Sequence, residues 1–153
     1  MTTQPNELEA IAGGNAVRTT DGSILDPDGI EDYIAGLTDE QTAAFLAYCD
    51  DNGYEHADLT DDEKVDVMVN CFDAETIDMR EYFDDPLDVN YTCDREKKYM
   101  GVDICVAFGG PGIWVNTNDR KVLGAWGCDR VEICFSLQAC EAIDEVFEDF
   151  FNL

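Results

Sequence analysis

The sequence predicts an α+β protein, with an acidic helical N-terminal half followed by a four-stranded antiparallel meander packed on a C-terminal helix. Three observations predict it. Residues 26–88 hold 21 Asp and Glu against Lys64 and Arg80, with apolar side chains between them at helical spacing. Near Tyr99 the apolar period drops to strict alternation, the signature of strands. From Ser136 onward a helical stripe returns. The chain is accordingly expected to divide into an acidic helical region over 1–92 and a β-meander plus helix over 93–153.

A segment as acidic as 26–88 would be disordered if it lacked apolar residues. Ile30, Tyr33, Ile34 and Leu37, then Phe45, Leu46 and Tyr48, then Val65, Met68, Val69 and Phe72 supply one buried face per helix. The carboxylates are left on the wet side. A first short helix is expected over 5–12, opened by Pro5 and stopped by Gly13-Gly14. A polar loop with a short extended piece follows over 15–25. Asp26-Pro27-Asp28-Gly29 turns into a helix over 28–36. Thr38-x-x-Gln41 is a capping box that starts a helix running to about Asp51, with Gly53 as its stop. Ala44, Phe45, Ala47 and Tyr48 are expected on its core face. Thr60-x-x-Glu63 is a second capping box and opens a helix over 61–73. A third short helix is expected over 75–84, ended by Asp85-Pro86.

In the second half, Tyr99–Phe108 alternates, with Val102, Ile104, Val106 and Phe108 on one face. Gly109-Gly110-Pro111-Gly112 turns the chain into a strand over 113–116. Asn118-Asp119 turns it into Lys121–Trp126, and Gly127–Asp129 into Arg130–Phe135. Ser136 caps a helix over 137–151. On that helix Cys140, Ile143, Val146, Phe147, Phe150 and Phe151 form an apolar stripe for the meander, opposite Glu141, Asp144, Glu145, Glu148 and Asp149.

The net charge is −26 over 153 residues. It excludes phosphate backbones and anionic membranes as direct partners and favours cationic ones. The charge is uneven: residues 1–92 carry 24 acidic and three basic side chains, whereas 93–132 carry six of each. Adaptation to high salt would coat the whole surface, so a neutral block beside an acidic one reads as a dedicated face. The N-terminus lacks a basic region followed by an apolar run, and no apolar run nears the roughly 20 residues that span a bilayer. The expected location is the cytoplasm, that of the host cell if a phage encodes the chain. Seven cysteines without a C-x-x-C pair are expected as reduced, small buried hydrophobes.

No catalysis, metal or cofactor is expected. With Gly29 or Gly53 as the glycine of an EF-hand loop, the first and last ligand positions fall on Ile24 and Ala35, or on Tyr48 and Leu59, and none of these is a carboxylate. An irregular calcium site at Asp26, Asp28, Glu31 and Asp32 is kept as an alternative. Cys128, Cys134 and Cys140 lack zinc-ligand spacing. His56, the one histidine, has no nucleophile elbow near it. Gly109-Gly110-Pro111-Gly112 lacks the Lys and Ser/Thr of a phosphate loop. Trp114 and Trp126 are expected in cross-strand packing or, if exposed, as anchors for a protein partner.

The carboxylates themselves carry the functional reading. On a helix Glu141, Glu145 and Glu148 step along the axis by roughly 6 and 4.5 Å, while a B-DNA strand has one charge per about 3.4 Å. Such a row can imitate phosphates to a basic groove. Asp58, Asp61, Asp62, Glu63 and Asp66 form a second candidate row, and Asp78, Glu81, Asp84, Asp85 and Asp88 a third.

DPDGIEDYIAGL at 26–37, AFLAYCDDNGYE at 44–55 and FDAETIDMREYFDD at 72–85 resemble the ArdA-type antirestriction proteins of phages and mobile elements. The resemblance implies an elongated acidic surface that resembles B-DNA and occupies the DNA groove of type I restriction enzymes. It ends at Asp85, and the GGPGIWV meander has no counterpart in it. Acidic anti-CRISPR proteins are equally compatible. The expectation is a DNA-mimic inhibitor whose partner is a basic DNA- or RNA-binding protein of a host defence system. A homodimer with two exposed acidic faces would imitate a longer duplex. The alternatives are an adaptor that binds through the meander and a calcium-binding acidic domain.

Overall fold

Side-chain caps fix where the helices begin. This computed structural model describes residues 5–108 and 112–153. Among them, α1 spans Pro5–Ala12 and α2 spans Pro27–Ala35, the latter capped by Asp26, whose carboxylate accepts from the Gly29 N–H at 2.8 Å. Both predicted capping boxes form. Thr38 and Gln41 open α3, Asp39–Asn52, and Thr60 and Glu63 open α4, Asp61–Cys71. Gly53 ends α3 in the left-handed region at φ +71°, which a β-carbon would strain. Ser136 caps α6, Leu137–Phe151, by accepting from the Ala139 N–H.

By contacts the chain divides into two units, one of Gly13–Ile77 and one that joins α1 to Asp78–Leu153. These bounds fall elsewhere than the composition boundary at residue 92. In the first unit, Val17, Ile30, Met68 and Ala74 form one buried cluster and Phe45, Cys49 and Val67 another. The expectation of an all-helical acidic half fails here. Strands β1 (Val17–Arg18), β2 (Ile24–Leu25) and β3 (Glu75–Thr76) make a small antiparallel sheet in the order β2-β1-β3. Residues 75–76 pair with β1, and the Ile77 N–H reaches the Ala16 carbonyl, so the expected helix over 75–84 is reduced to α5, Met79–Tyr82. On α3 the core face consists of Phe45 and Cys49, with Ala44 and Ala47 exposed.

The second unit holds a five-stranded antiparallel sheet, β4-β5-β6-β7-β8, one strand more than expected. The additional strand is β4, Asp88–Cys93, an edge strand with little burial and therefore little apolar signal. Strands β5 (Tyr99–Ala107), β6 (Gly112–Asn116), β7 (Lys121–Trp126) and β8 (Asp129–Cys134) follow the predicted meander. Residues 109–111 of the predicted glycine turn lie outside the described residues. Ile104, Val115 and Val122 line up across the strands on one face. Helix α6 meets β5, α1 and α5 and buries Ile143, Val146 and Phe147. The register shift between Cys105 and Ala107 breaks the alternation, which leaves Phe108 81 % exposed instead of on the core face. Among the cysteines, Cys49, Cys105 and Cys140 are buried, but Cys93, Cys128 and Cys134 are exposed, against the expectation of seven core thiols. None of the described helices is long and apolar enough to cross a membrane.

Ile143, on the inward face of α6, is fully buried. Ile143→Ala is expected to destabilise this unit by about 2–5 kcal/mol, measured by denaturant unfolding.

Candidate acidic interface

The predicted phosphate mimics sort into carboxylates that face water freely and carboxylates the fold already uses. On α4, Asp61 and Asp62 are exposed, but Glu63 bends back to accept from the Thr60 N–H at 3.0 Å. Asp66 faces inward. It accepts from the hydroxyl of Tyr48 at 2.6 Å, from that of Tyr54 at 2.8 Å and from the Asn70 amide at 2.8 Å. The hydrogen bond to Asp66 pushes the Tyr48 phenol up to about 12, and that of Tyr54 upward from the same first cause. The largely buried Lys64 side chain lies 3.9 Å from both Glu31 and Asp61. Asp58 is exposed at a small hollow of about 130 Å³ that His56 and Lys64 also line.

In the other unit, Asp78 caps α5 by accepting from the Glu81 N–H at 2.8 Å. Glu81, Asp84, Asp85 and Asp88 are exposed, Asp88 accepting from the Val89 N–H and the Asn90 amide. On α6, Glu141, Glu145 and Glu148 are exposed, and among the described residues no ion pair reaches them. Asp144 is half-buried and accepts from the Tyr99 hydroxyl, while the Cys140 thiol lies 3.6 Å away. Burial first, and the Asp144 carboxylate second, push the Cys140 thiol up to about 11. Asp149 is paired with Arg80 at 2.9 Å, and the same guanidinium lies 4.9 Å from the centre of the Phe150 ring.

The two tryptophans part company. Trp114 is half-buried on the sheet face opposite the Ile104–Val115–Val122 row. It lines a groove of about 390 Å³ with Asp103, Lys121, Arg130 and Glu132. Burial raises the Asp103 carboxyl, and a hydrogen bond from Asn116 opposes the rise. Trp126 is 48 % exposed at the end of β7, and its ring covers Gly124.

The proposed calcium set is partly committed: Asp26 serves as the α2 cap. Among the described residues no group of three or more His, Cys, Asp or Glu is placed to hold a metal ion. The tyrosines that hold Asp66 and Asp144 were not legible as site residues, because they read as core aromatics in the sequence. Comparison of the chain with known proteins gave no matching family model, no matching curated sequence and no matching solved structure.

A Tyr48 phenol held neutral by Asp66 has a pH signature. Its folded value lies above the unfolded value of about 10, so this contribution to stability is complete below the unfolded value and is lost as pH rises through about 12. In an alkaline absorbance titration Tyr48 is expected to ionise last within its cluster, and Asp66→Asn to bring it back toward the ordinary tyrosine range.

Proposed function

We propose that the chain is a DNA-mimic inhibitor from a phage or mobile element. It occupies the basic nucleic-acid-binding cleft of a host defence system, a restriction enzyme or a CRISPR-Cas effector, and catalyses nothing. One observation carries the reading: exposed helical carboxylates that no basic side chain of the described chain neutralises, led by Glu141, Glu145 and Glu148 on α6. Asp58 and Asp62 are exposed in the other unit, as are Glu81, Asp84, Asp85 and Asp88 beside α5 and β4. Carboxylates crowded on one helix face repel one another and weaken the helix. A basic cleft turns the same charges into attraction and fast association. Asp66, Asp144, Glu63 and Asp78 contribute less directly to contact, because tyrosines and helix N-termini already hold them.

The exposure of Trp126 favours a second reading, an adaptor that docks through the meander with Trp126 as its anchor. Salt separates the two. Charge mimicry gives a complex that moderate salt weakens and duplex DNA displaces. An aromatic anchor gives one that ignores both.

The test uses the tagged full chain to capture a defence nuclease complex, with elution by a salt gradient and, separately, by duplex DNA. Release by both is expected. The triple change Glu141→Gln, Glu145→Gln, Glu148→Gln is expected to weaken capture by about tenfold or more. A complex that survives high salt, ignores DNA and fails on Trp126→Ala would overturn the mimic reading in favour of the adaptor.

A further inference from the structure

Strand β8 ends the sheet, and all six of its residues are exposed. Gly127 and Cys128 form the two-residue turn that leads into it, with Gly127 at φ +56° and Trp126 opposite Asp129. In such a hairpin the residues that flank the turn exchange backbone hydrogen bonds, and every second pair after them does so as well. The Phe135 N–H donates to the Arg120 carbonyl at 3.0 Å, which continues the same phase. Asp129, Val131 and Ile133 therefore bond inward to β7. Arg130, Glu132 and Cys134 turn their backbone N–H and C=O outward, unpaired within the sheet.

An open edge of this kind is a template for another strand. A second copy in antiparallel orientation must set outward residues against outward residues. Centred on Val131, that pairing sets Arg130 against Glu132 of the partner subunit and Glu132 against Arg130 of the partner subunit. Shifting the centre to Arg130 would oppose two arginines, and shifting it to Glu132 would oppose two glutamates. Of these three registers, only the one centred on Val131 joins opposite charges. It also brings Val131 against Val131 of the partner subunit in the closer, non-hydrogen-bonded type of pair. Val131, Ile133 and Trp126 are 46 %, 45 % and 48 % exposed on that face.

Charge balance points the same way. Two chains of net charge −26 repel over most of their surfaces. The block 93–132 has six acids and six bases, and Glu132 already lies 3.3 Å from Lys121 and 3.2 Å from Arg130. The edge is thus a place where two copies can approach without opposing rows of carboxylates.

We propose that β8 is the self-association edge of a reversible homodimer, in which two β8 strands pair antiparallel about Val131 and join two five-stranded sheets into one of ten. The proposal goes beyond the inhibitor reading and does not depend on it.

The test is light scattering on the full-length chain over a concentration series at physiological salt, with circular dichroism as the check on folding. The mass is expected to rise from 17.0 kDa toward twice that value. Arg130→Glu alone and Glu132→Arg alone, each opposing like charges, are expected to weaken the dimer by about tenfold or more. The double change Arg130→Glu with Glu132→Arg restores opposite pairing and should restore the dimer. A wild-type chain that stays at 17.0 kDa throughout the series would overturn the proposal. So would single variants that dimerise like wild type, or a folded double variant no better than the singles.

Discussion

Mutual repulsion among 35 carboxylates, with nine basic side chains to offset them, is the constraint the rest of the structure answers to. Burying a carboxylate without partners costs several kcal/mol, and crowding carboxylates on one face costs stability as well. The fold meets both conditions by position. Its cores are aliphatic and aromatic, and Thr117 is the only buried polar residue among those described. The acids are placed at helix N-termini, where the dipole favours them, or on faces open to water.

Where a carboxylate turns inward it is held by donors that carry no charge. Asp66 is held by two tyrosines and an asparagine, and Asp144 by Tyr99. Neutral phenols do this in a chain poor in lysine and arginine. They satisfy the oxygens without cancelling the charge, so the negative potential of the surface survives. Arg80 is the contrast: it pairs with Asp149 and lies over Phe150, a structural use of a scarce cation.

Features fixed by neighbours in sequence were legible. The caps at Thr38, Thr60 and Ser136 act over three residues, and each opens its helix where the motif places it. The alternation of β5 to β8 was also readable, since each strand is long enough to show a period. The two-residue strands β1, β2 and β3 have no period to read, and β4 is an edge strand that buries little. The acidic surface was visible as charge alone. That Asp66 and Asp144 were already in use was not, because their partners are distant in sequence: Tyr48 lies 18 residues from Asp66, and Tyr99 lies 45 from Asp144. The exposed thiol of Cys134 escaped for a related reason, since cysteine in an alternating strand reads as core until the cover over that strand is known.

Charge concentrated on helix faces, unneutralised and backed by packed aromatics, is what the inhibitor account rests on. Its most direct measurement is made in cells. Unmodified phage is plated on a bacterial strain that carries a type I restriction system or a CRISPR-Cas effector, with and without the chain expressed. The account predicts that the chain restores plating toward that of a strain lacking the system. It also predicts that a folded variant with Asp58, Asp62, Glu141, Glu145 and Glu148 changed to their amides does not. Equal protection by that variant, or no protection against either kind of system, would contradict the account.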